Sequence, residues 1–375
     1  MFWALVWAAT SIAMIEIFRY RIPFVRPFEM AGQSLHEREG IVLKYTEAGH
    51  HIFSEIAPLP GFSSESLDEA IRDLARVLHD VRVQIDSSAS LHDWSDWLRG
   101  AGLASSIRFG LDTLYRQTQA ARLGVPFHRY LNPNSHDMIA TNAVVGILPP
   151  TELEARTVEL VQAGFTTIKY KVHDPSECLS SWVGIRSQFP ELNMRFDANA
   201  SWDSTHGHTW AKQLEAVRPQ YLEQPFAVGS ERETADLQLD ISYPIAYDES
   251  ARDLSSVMSI LERSSNPVII LKPMLLGSVD EMAGIIAKIR EYGAKFTITT
   301  LIESGIGRRL TAALASAFGD PGIAHGLGTG ALFLEDVLAD DPAPAGTYRI
   351  GSDILSSGNS YERIHINLLT KLELD

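Results

Sequence analysis

The sequence predicts an α/β protein, a parallel (β/α) barrel with an α+β capping domain, on two observations. Over about 190 residues after Asn132-Pro-Asn, eight short β-branched runs alternate with amphipathic stretches, the pattern of β-α units closing on themselves. An ionisable residue stands at or near the end of six of these runs, at intervals that repeat the unit length. Before that region the pattern is different: strands first, then helices.

The front section, 14–130, opens with three strand candidates: the alternation 15–24, the apolar run 40–45, and 51–57 after the turn Glu47-Ala-Gly-His. They form an antiparallel sheet in this reading. Ser66 then caps a helix with apolar Leu67, Ile71, Leu74, Ala75 and Leu78 on one face, and further helices cover 91–98 and 105–123, the last ending at Gly124 and Pro126. The barrel, 135–335, has its strand candidates at 140–145, 166–172, 193–198, 220–224, 244–247, 267–271, 295–300 and 322–325. Helix candidates between them include 150–163, 177–189, 209–217, 254–263, 278–292 and 308–318. The tail, 340–375, leaves the barrel through Pro342, Pro344 and Gly346, and its apolar stretch 364–374 is expected to pack back on the cap.

Composition narrows the partners. Of 375 residues, 47 are Asp or Glu and 32 Lys or Arg, a formal charge of -15, so a phosphate backbone would meet a repulsive field and nucleic acid is not expected. The single cysteine, Cys178, excludes an internal disulfide and reads as a packed thiol in a reducing cytoplasm. Residues 1–15 carry no charge, yet they fall short of the roughly 20 apolar residues of a membrane span and lack the basic start of a secretory signal. Met14 is the expected natural start, the first thirteen residues being an upstream extension, and no membrane association is expected. The sequence leaves the oligomeric state open. His206 and His208 read as surface residues, and neither a Gly-x-Ser-x-Gly elbow nor a His-Glu-x-x-His pair is present.

The charges at the run ends carry the chemistry. Lys169 and Lys171 lie in the second run, Asp197, Glu223 and Asp248 end the next three, Lys272 follows the sixth and Glu303 the seventh. From Lys171 the gaps are 26, 26, 25, 24 and 31 residues, so each charge reaches the C-terminal mouth of a barrel, where such folds place their active sites. Residues i and i+2 of a strand share a face, which points Lys169 with Lys171 and Asp197 with Asn199. Three acids gathered from adjacent strands need a positive partner, and all-oxygen ligation favours Mg²⁺ over zinc. A lysine in the field of that cation is shifted from its usual value of about 10.4 toward neutrality and can take a proton next to a carboxylate, the cation stabilising the enediolate.

The ordered set Lys-Tyr-Lys at 169–171, Phe-Asp-Ala-Asn at 196–199, Glu-Gln-Pro at 223–225, Asp-Glu-Ser at 248–250 and Leu-Lys-Pro at 271–273 resembles the signature of the enolase superfamily, a family of modified TIM barrels, in its muconate-lactonising subgroup. The resemblance implies Mg²⁺ on Asp197, Glu223 and Asp248, catalytic Lys171 and Lys272 on opposite sides of a small-molecule carboxylate substrate, and support from Lys169 and Asn199. Glu-Ile-Ala-Pro-Leu-Pro-Gly-Phe-Ser at 55–63, Thr-Leu-Ile-Glu-Ser-Gly-Ile-Gly at 300–307 and His-Gly-Leu-Gly-Thr-Gly at 325–330 are similar, further, to the o-succinylbenzoate synthase family. That likeness implies a lyase that dehydrates 2-succinyl-6-hydroxy-2,4-cyclohexadiene-1-carboxylate in menaquinone biosynthesis. It also implies that cap loops near 24–26 and 60–63 hold the succinyl tail. Glu303, Ser304 and the backbone N–H groups at Gly328 are the substrate-binding candidates, Ser304 serving equally well as a helix cap and Gly328 as a tight turn. Ser54 departs from the glycine common before this Glu-Ile-Ala-Pro run, a change assigned to cap-loop geometry. The competing reading is a racemase or epimerase of N-acylamino acids or dipeptides, which uses the same lysine pair. Such epimerases usually carry Asp-x-Asp where this chain has Gly-Leu-Gly-Thr-Gly at 326–330.

Overall fold

The computed structural model describes residues 14–30, 33–87, 89–338, 346–350 and 363–374; the uncharged N-terminal run up to residue 13 and the prolines of the tail lie outside them. Strands β1 (Met14–Met30), β2 (Gln33–Glu47) and β3 (His50–Ile56) form the expected antiparallel sheet, with β1 and β2 paired along almost their whole length and a bulge between Pro23 and Phe28. Alternation sends Ile15, Ile17, Ile41 and Leu43 to one side, against Leu74 and Val81 of helix Leu67–Asp86, Trp94, and Leu111 and Leu114 of helix Ser105–Leu123. Ser66 begins the first of these helices with a reciprocal bond to Glu69, and Gly124 ends the last in a left-handed conformation.

Helix Ser105–Leu123 lies close on β3 because Gly110 has no side chain: a Cβ there would stand 2.9 Å from the Glu55 carbonyl oxygen. Ser54 belongs to the same contact, its hydroxyl donating to the Gly110 carbonyl at 2.7 Å and meeting Thr113 Oγ1 at 2.7 Å. Its effect is therefore on strand-helix packing inside the cap, not on the cap loop as expected.

Two short strands follow, β4 (Met138–Ala140) and β5 (Ala143–Val145), and then β6 (Thr167–Lys171), β7 (Asn193–Asp197), β8 (Tyr221–Glu223), β9 (Ile245–Tyr247), β10 (Val268–Leu271) and β11 (Lys295–Ile298). From β5 to β11 they form one parallel sheet in chain order, each joined to the next through a helix, which is the predicted α/β class. The expected run 140–145 is split. Its first part, β4, pairs antiparallel with β12 (Thr347–Arg349), because at Thr141 the backbone turns from the tail, bonding Gly346, to the barrel, where Asn142 bonds His325.

The expected eighth strand, 322–325, is absent as a strand. Single parallel bridges, Thr141 to His325 and Thr299 to Gly326, join the ends of the sheet instead. Pro321 and the glycines at 322, 326 and 328 deny this segment a continuous ladder, and Arg195 adds a side-chain bond to the Ala324 carbonyl at 2.9 Å. Helix Glu231–Asp240 was not anticipated; it buries only Thr234 and Leu237 and so has almost no apolar stripe. At the far end of the chain β13 (Leu369–Leu372) adds to the outer side of β1, so both chain ends share the cap sheet.

Cap and barrel meet through buried acids. Glu55, at the end of β3, is fully buried; its carboxylate accepts from Tyr20 Oη at 2.6 Å, from the Ser304 backbone N–H at 3.0 Å, from the Ser304 hydroxyl, and from the Gly307 N–H at 2.7 Å. These backbone donors open helix Gly305–Phe318, whose positive end favours an anion. Asp112 of the cap does the same for helix Val279–Glu291, accepting the Val279 N–H at 2.8 Å while Trp94 and Arg116 hold its other edge. Replacing Glu55 strands several buried donors at once. The variant Glu55→Ala is expected to lose at least ~3 kcal/mol of stability in urea unfolding, and a loss below ~1 kcal/mol would show that the helix end finds other partners.

Candidate active site

The parallel ladder sets one level of the barrel mouth: Lys171 is the Cα partner of Asp197, and Asp197 of Glu223. Asp248 lies two residues beyond Ala246, the partner of Glu223, and Lys272 directly follows β10. Between the two lysines of β6, Tyr170 points the other way and stacks on Phe196, 5.7 Å between ring centroids, under the surrounding helices. Alternation thus separates an apolar outer layer from a charged inner one.

On the inner side the acids and lysines interleave. Lys169 Nζ lies 2.8 Å from Glu223 and 2.9 Å from Asp197. Lys171 donates to Asp197 at 2.9 Å and also to the Asn199 side-chain oxygen, while Lys272 pairs with Asp248. A cavity of about 700 Å³ opens above them, lined by Lys169, Lys171, Asp197, Asn199, Asp248, Glu249, Arg252 and Lys272, with Phe28, Leu59, Gly61 and Phe62 from the cap.

Burial works against the Lys169 ammonium, but Asp197 and Glu223 outweigh it and hold its pKa well above the lysine range. Asp197 is the mirror case: desolvation opposes its charge, and Lys169 and Lys171 overcome that and keep it ionised far below the usual carboxylate range. Burial and the nearby Asp197 raise Glu223. Lys272 falls to about 7, chiefly through burial, with Glu223 and Asp197 opposing and the like charges of Lys169 and Lys171 assisting. The lowered lysine therefore arises from desolvation in the protein itself, before any cation is considered.

Backbone geometry at the strand ends is unusual. Asn199, Ala200, Gln224 and Ile302 all have positive φ, and all sit at the mouth. Gln224 shows what this achieves: its side chain donates to Ser250 Oγ and the Phe226 carbonyl at 2.9 Å, and accepts from the N–H groups of Asp248 at 3.1 Å and Ser250 at 3.2 Å. It fixes the turn that presents Asp248.

Two charged residues of the cavity, Glu249 and Arg252, escaped the reading of the sequence. Glu249 lines the cavity with its Oε2 buried and unpartnered, and burial, then Asp197 and Glu223, push it up to about 7. Phe62 lies with its ring centroid 4.9 Å from Lys272 Nζ and 5.7 Å from Arg252 Cζ. The expected loop 60–63 does reach the cavity, whereas Phe24 stacks on Phe333 at 5.1 Å and Phe28 takes its place at the lining.

The three residues expected to bind substrate, Glu303, Ser304 and Gly328, stand off the cavity lining. Ser304 caps helix Gly305–Phe318 and is bonded to Glu55, and Glu303 turns inward to accept the Leu301 N–H at 2.7 Å; both are fully buried and neither lines the cavity. Gly328 begins a short 3₁₀ turn beside the cavity wall and does not line it either. The run after the seventh strand reaches the cavity through Thr300, Leu301 and Ile302 instead. Cys178 is half-buried near the Leu148 carbonyl, and His208 pairs with Asp240 at the surface.

Asp197, Glu223 and Asp248 are the groups that could hold a cation. Among the described residues no three metal-ligating side chains stand together as a ready cluster, because lysine ammonium groups occupy the carboxylate oxygens. The donor set nevertheless fits a hard divalent ion: all oxygen, at the ends of adjacent strands, with four acids sharing three lysines once Glu249, whose Oε2 has no partner, is counted.

With this geometry in view, the comparisons with known proteins are consistent. The family described as Enolase C-terminal domain-like matches residues 152–350, and the family described as MenC, N-terminal domain, matches residues 12–114. The chain belongs to the enolase superfamily. Its relatives include an o-succinylbenzoate synthase of Edwardsiella ictaluri, 26% identical over 87% of this chain and 93% of that one. A hydrophobic dipeptide epimerase of Roseobacter litoralis is 27% identical over 82% of this chain and 85% of its own. The fold is shared with the dipeptide epimerase of Methylococcus capsulatus, solved with Mg and a dipeptide: TM-score 0.78, 20% identity, 92% of this chain and 98% of that one. Among the described residues no helix is long and apolar enough to cross a membrane.

Glu303 yields a pH test. Burial first, and then the neighbouring Glu55, push its carboxyl up to about 7, against an ordinary value of 4.5. Between those values the folded chain binds more protons than the unfolded one, so this group's contribution is most favourable below about 4.5 and is lost as pH rises through about 7. Glu303→Gln keeps an acceptor for Leu301 and carries no charge. Its stability relative to the parent should rise between pH 5 and pH 8 by up to roughly 3 kcal/mol. Urea unfolding at both values measures this, and a difference independent of pH would contradict the shift.

Proposed function

We propose that the chain is a Mg²⁺-dependent lyase, an o-succinylbenzoate synthase, dehydrating 2-succinyl-6-hydroxy-2,4-cyclohexadiene-1-carboxylate to 2-succinylbenzoate in menaquinone biosynthesis. The observation that carries the reading is the placement of Lys171 and Lys272 in one cavity, four strands apart in the barrel, beside three strand-end acids. The match of the cap to the MenC N-terminal family and the several synthases among the relatives support this specificity.

Asp197, Glu223 and Asp248 would hold Mg²⁺, and the ion would supply positive charge to the substrate carboxylate as its α-carbon loses a proton. Lys171, as the free amine, takes that proton. The resulting ammonium then returns it to the departing hydroxide on the same ring face, so water leaves and the ring becomes aromatic. Lys272 faces the substrate from the other side and steadies the developing negative charge; a bound dianion favours its charged form. Lys169 bridges Asp197 and Glu223, and Asn199 orients Lys171 through its side-chain oxygen.

The alternative, 1,1-proton transfer in an N-acylamino acid or dipeptide, is favoured by the epimerase among the relatives and uses the same lysines. It lacks support in the stretch 326–330, where Gly-Leu-Gly-Thr-Gly offers no acid for a substrate amine.

Formation of the aromatic product, followed by ultraviolet absorbance with and without Mg²⁺, tests the reading directly. Turnover should require the metal and fall at least ~1,000-fold in Lys171→Ala with the fold preserved; metal-loaded, folded protein without turnover would refute the synthase assignment. Separately, Asp248→Ala should weaken Mg²⁺ binding at least ~10-fold in titration calorimetry, and an unchanged isotherm would remove Asp248 from the metal site.

A further inference from the structure

The proton chemistry leaves one cation of the cavity without a task. Arg252 follows the Asp248-Glu249-Ser250 turn and precedes helix Leu254–Arg263. Its Nε donates to the Glu249 carbonyl at 2.8 Å, its backbone N–H donates to Ser256 Oγ at 3.0 Å, and the guanidinium lies over the Phe62 ring of the cap. Among the described residues its Nη1 and Nη2 meet no acceptor, although the residue lines the cavity and is half-buried. A guanidinium anchored at Nε and covered on one face is held as a planar fork, the shape that matches a carboxylate.

Charge gives a second, independent indication. Asp197, Glu223, Asp248 and Glu249 are matched in number by Lys169, Lys171, Lys272 and Arg252. A divalent cation on the acids adds two positive charges, so even with Lys171 as the free base the cavity keeps a net positive charge that favours an anionic ligand. A zwitterionic ligand would leave the excess in place, and its ammonium group would face Arg252 as a like charge.

We propose that Arg252 is a specificity-determining residue: it receives the second carboxylate of a dicarboxylate substrate, with Phe62 as the platform that holds its plane. The inference rests on the synthase reading and names the group in that site which selects the succinyl tail.

Titration calorimetry in the presence of Mg²⁺ with 2-succinylbenzoate, and with 2-butyrylbenzoate, in which a methyl group replaces the tail carboxylate, separates the two ideas. The parent should prefer the diacid by roughly 10- to 100-fold, and Arg252→Met should bind both ligands about equally while keeping the parent's affinity for 2-butyrylbenzoate. Arg252→Lys, which retains the stem and the charge but not the fork, should show an intermediate preference and serves if the methionine variant does not fold. An undiminished preference in the folded variants overturns the role of Arg252 and leaves the synthase reading standing. A parent protein that binds neither ligand overturns both.

Discussion

The structure depends on where a (β/α) barrel puts its helix N-termini. Each helix begins just after a strand ends, so the mouth that gathers the strand-end charges also gathers the positive ends of the helices. The cap docks onto two of these ends with acids of its own, Glu55 on Gly305–Phe318 and Asp112 on Val279–Glu291. Burying a carboxylate without such donors would be prohibitive; surrounded by the first N–H groups of a helix, it becomes a directional joint. Gly307 is needed for the same reason, since a Cβ there would come within 2.9 Å of the Glu55 carboxylate. Arg38 completes the joint, bonding the carbonyls of Ala57, Pro58 and Ile302.

That joint determines the shape of the cavity. The loop that carries Leu59, Gly61 and Phe62 begins immediately beyond the carbonyls Arg38 holds, so Phe62 is delivered onto Lys272 and Arg252 by contacts made outside the lysine–acid cluster. Ile302, whose carbonyl Arg38 also takes, has positive φ and lines the same cavity. A cap loop and a barrel loop are thereby locked to each other through one guanidinium.

Much of this was readable in the sequence because β structure converts spacing into place. Charges at about 25-residue intervals become neighbours when each interval is one strand, one helix and two turns, and the ladder pairs Lys171, Asp197 and Glu223 as that spacing requires. The reading failed where the period stops. Glu249 stands two residues beyond the end of β9, so alternation no longer says which way it faces. Glu303 and Ser304 lie in a loop followed by a helix; Ser304 is held by Glu55, almost 250 residues earlier in the chain, and Glu303 turns to the Leu301 N–H. Gly322 to Gly326 had a strand's position but not the side chains or the ladder of one, and the barrel closes there by single bridges.

A lysine pair across a carboxylate-lined mouth serves proton abstraction with elimination as readily as proton abstraction with return, so the choice between them lies in groups that never touch the migrating proton. On the proposed reading, those groups come in this chain from the cap and from the turn after β9. Phe62 and Leu59 enter from a loop whose position is set by Arg38 and the Glu55 joint, while Arg252 is set by its bond to Glu249 and by the ring it lies against. Lys169, Lys171, Asp197 and Glu223 are part of the ladder, and Asp248 and Lys272 directly follow their strands, so none of them moves without altering the strands beside it. The selecting residues hang from loops joined to the ladder at one or two points. On that reading, reaction and specificity rest on parts tied to the ladder at many points and at few, which allows the second to change while the first is preserved.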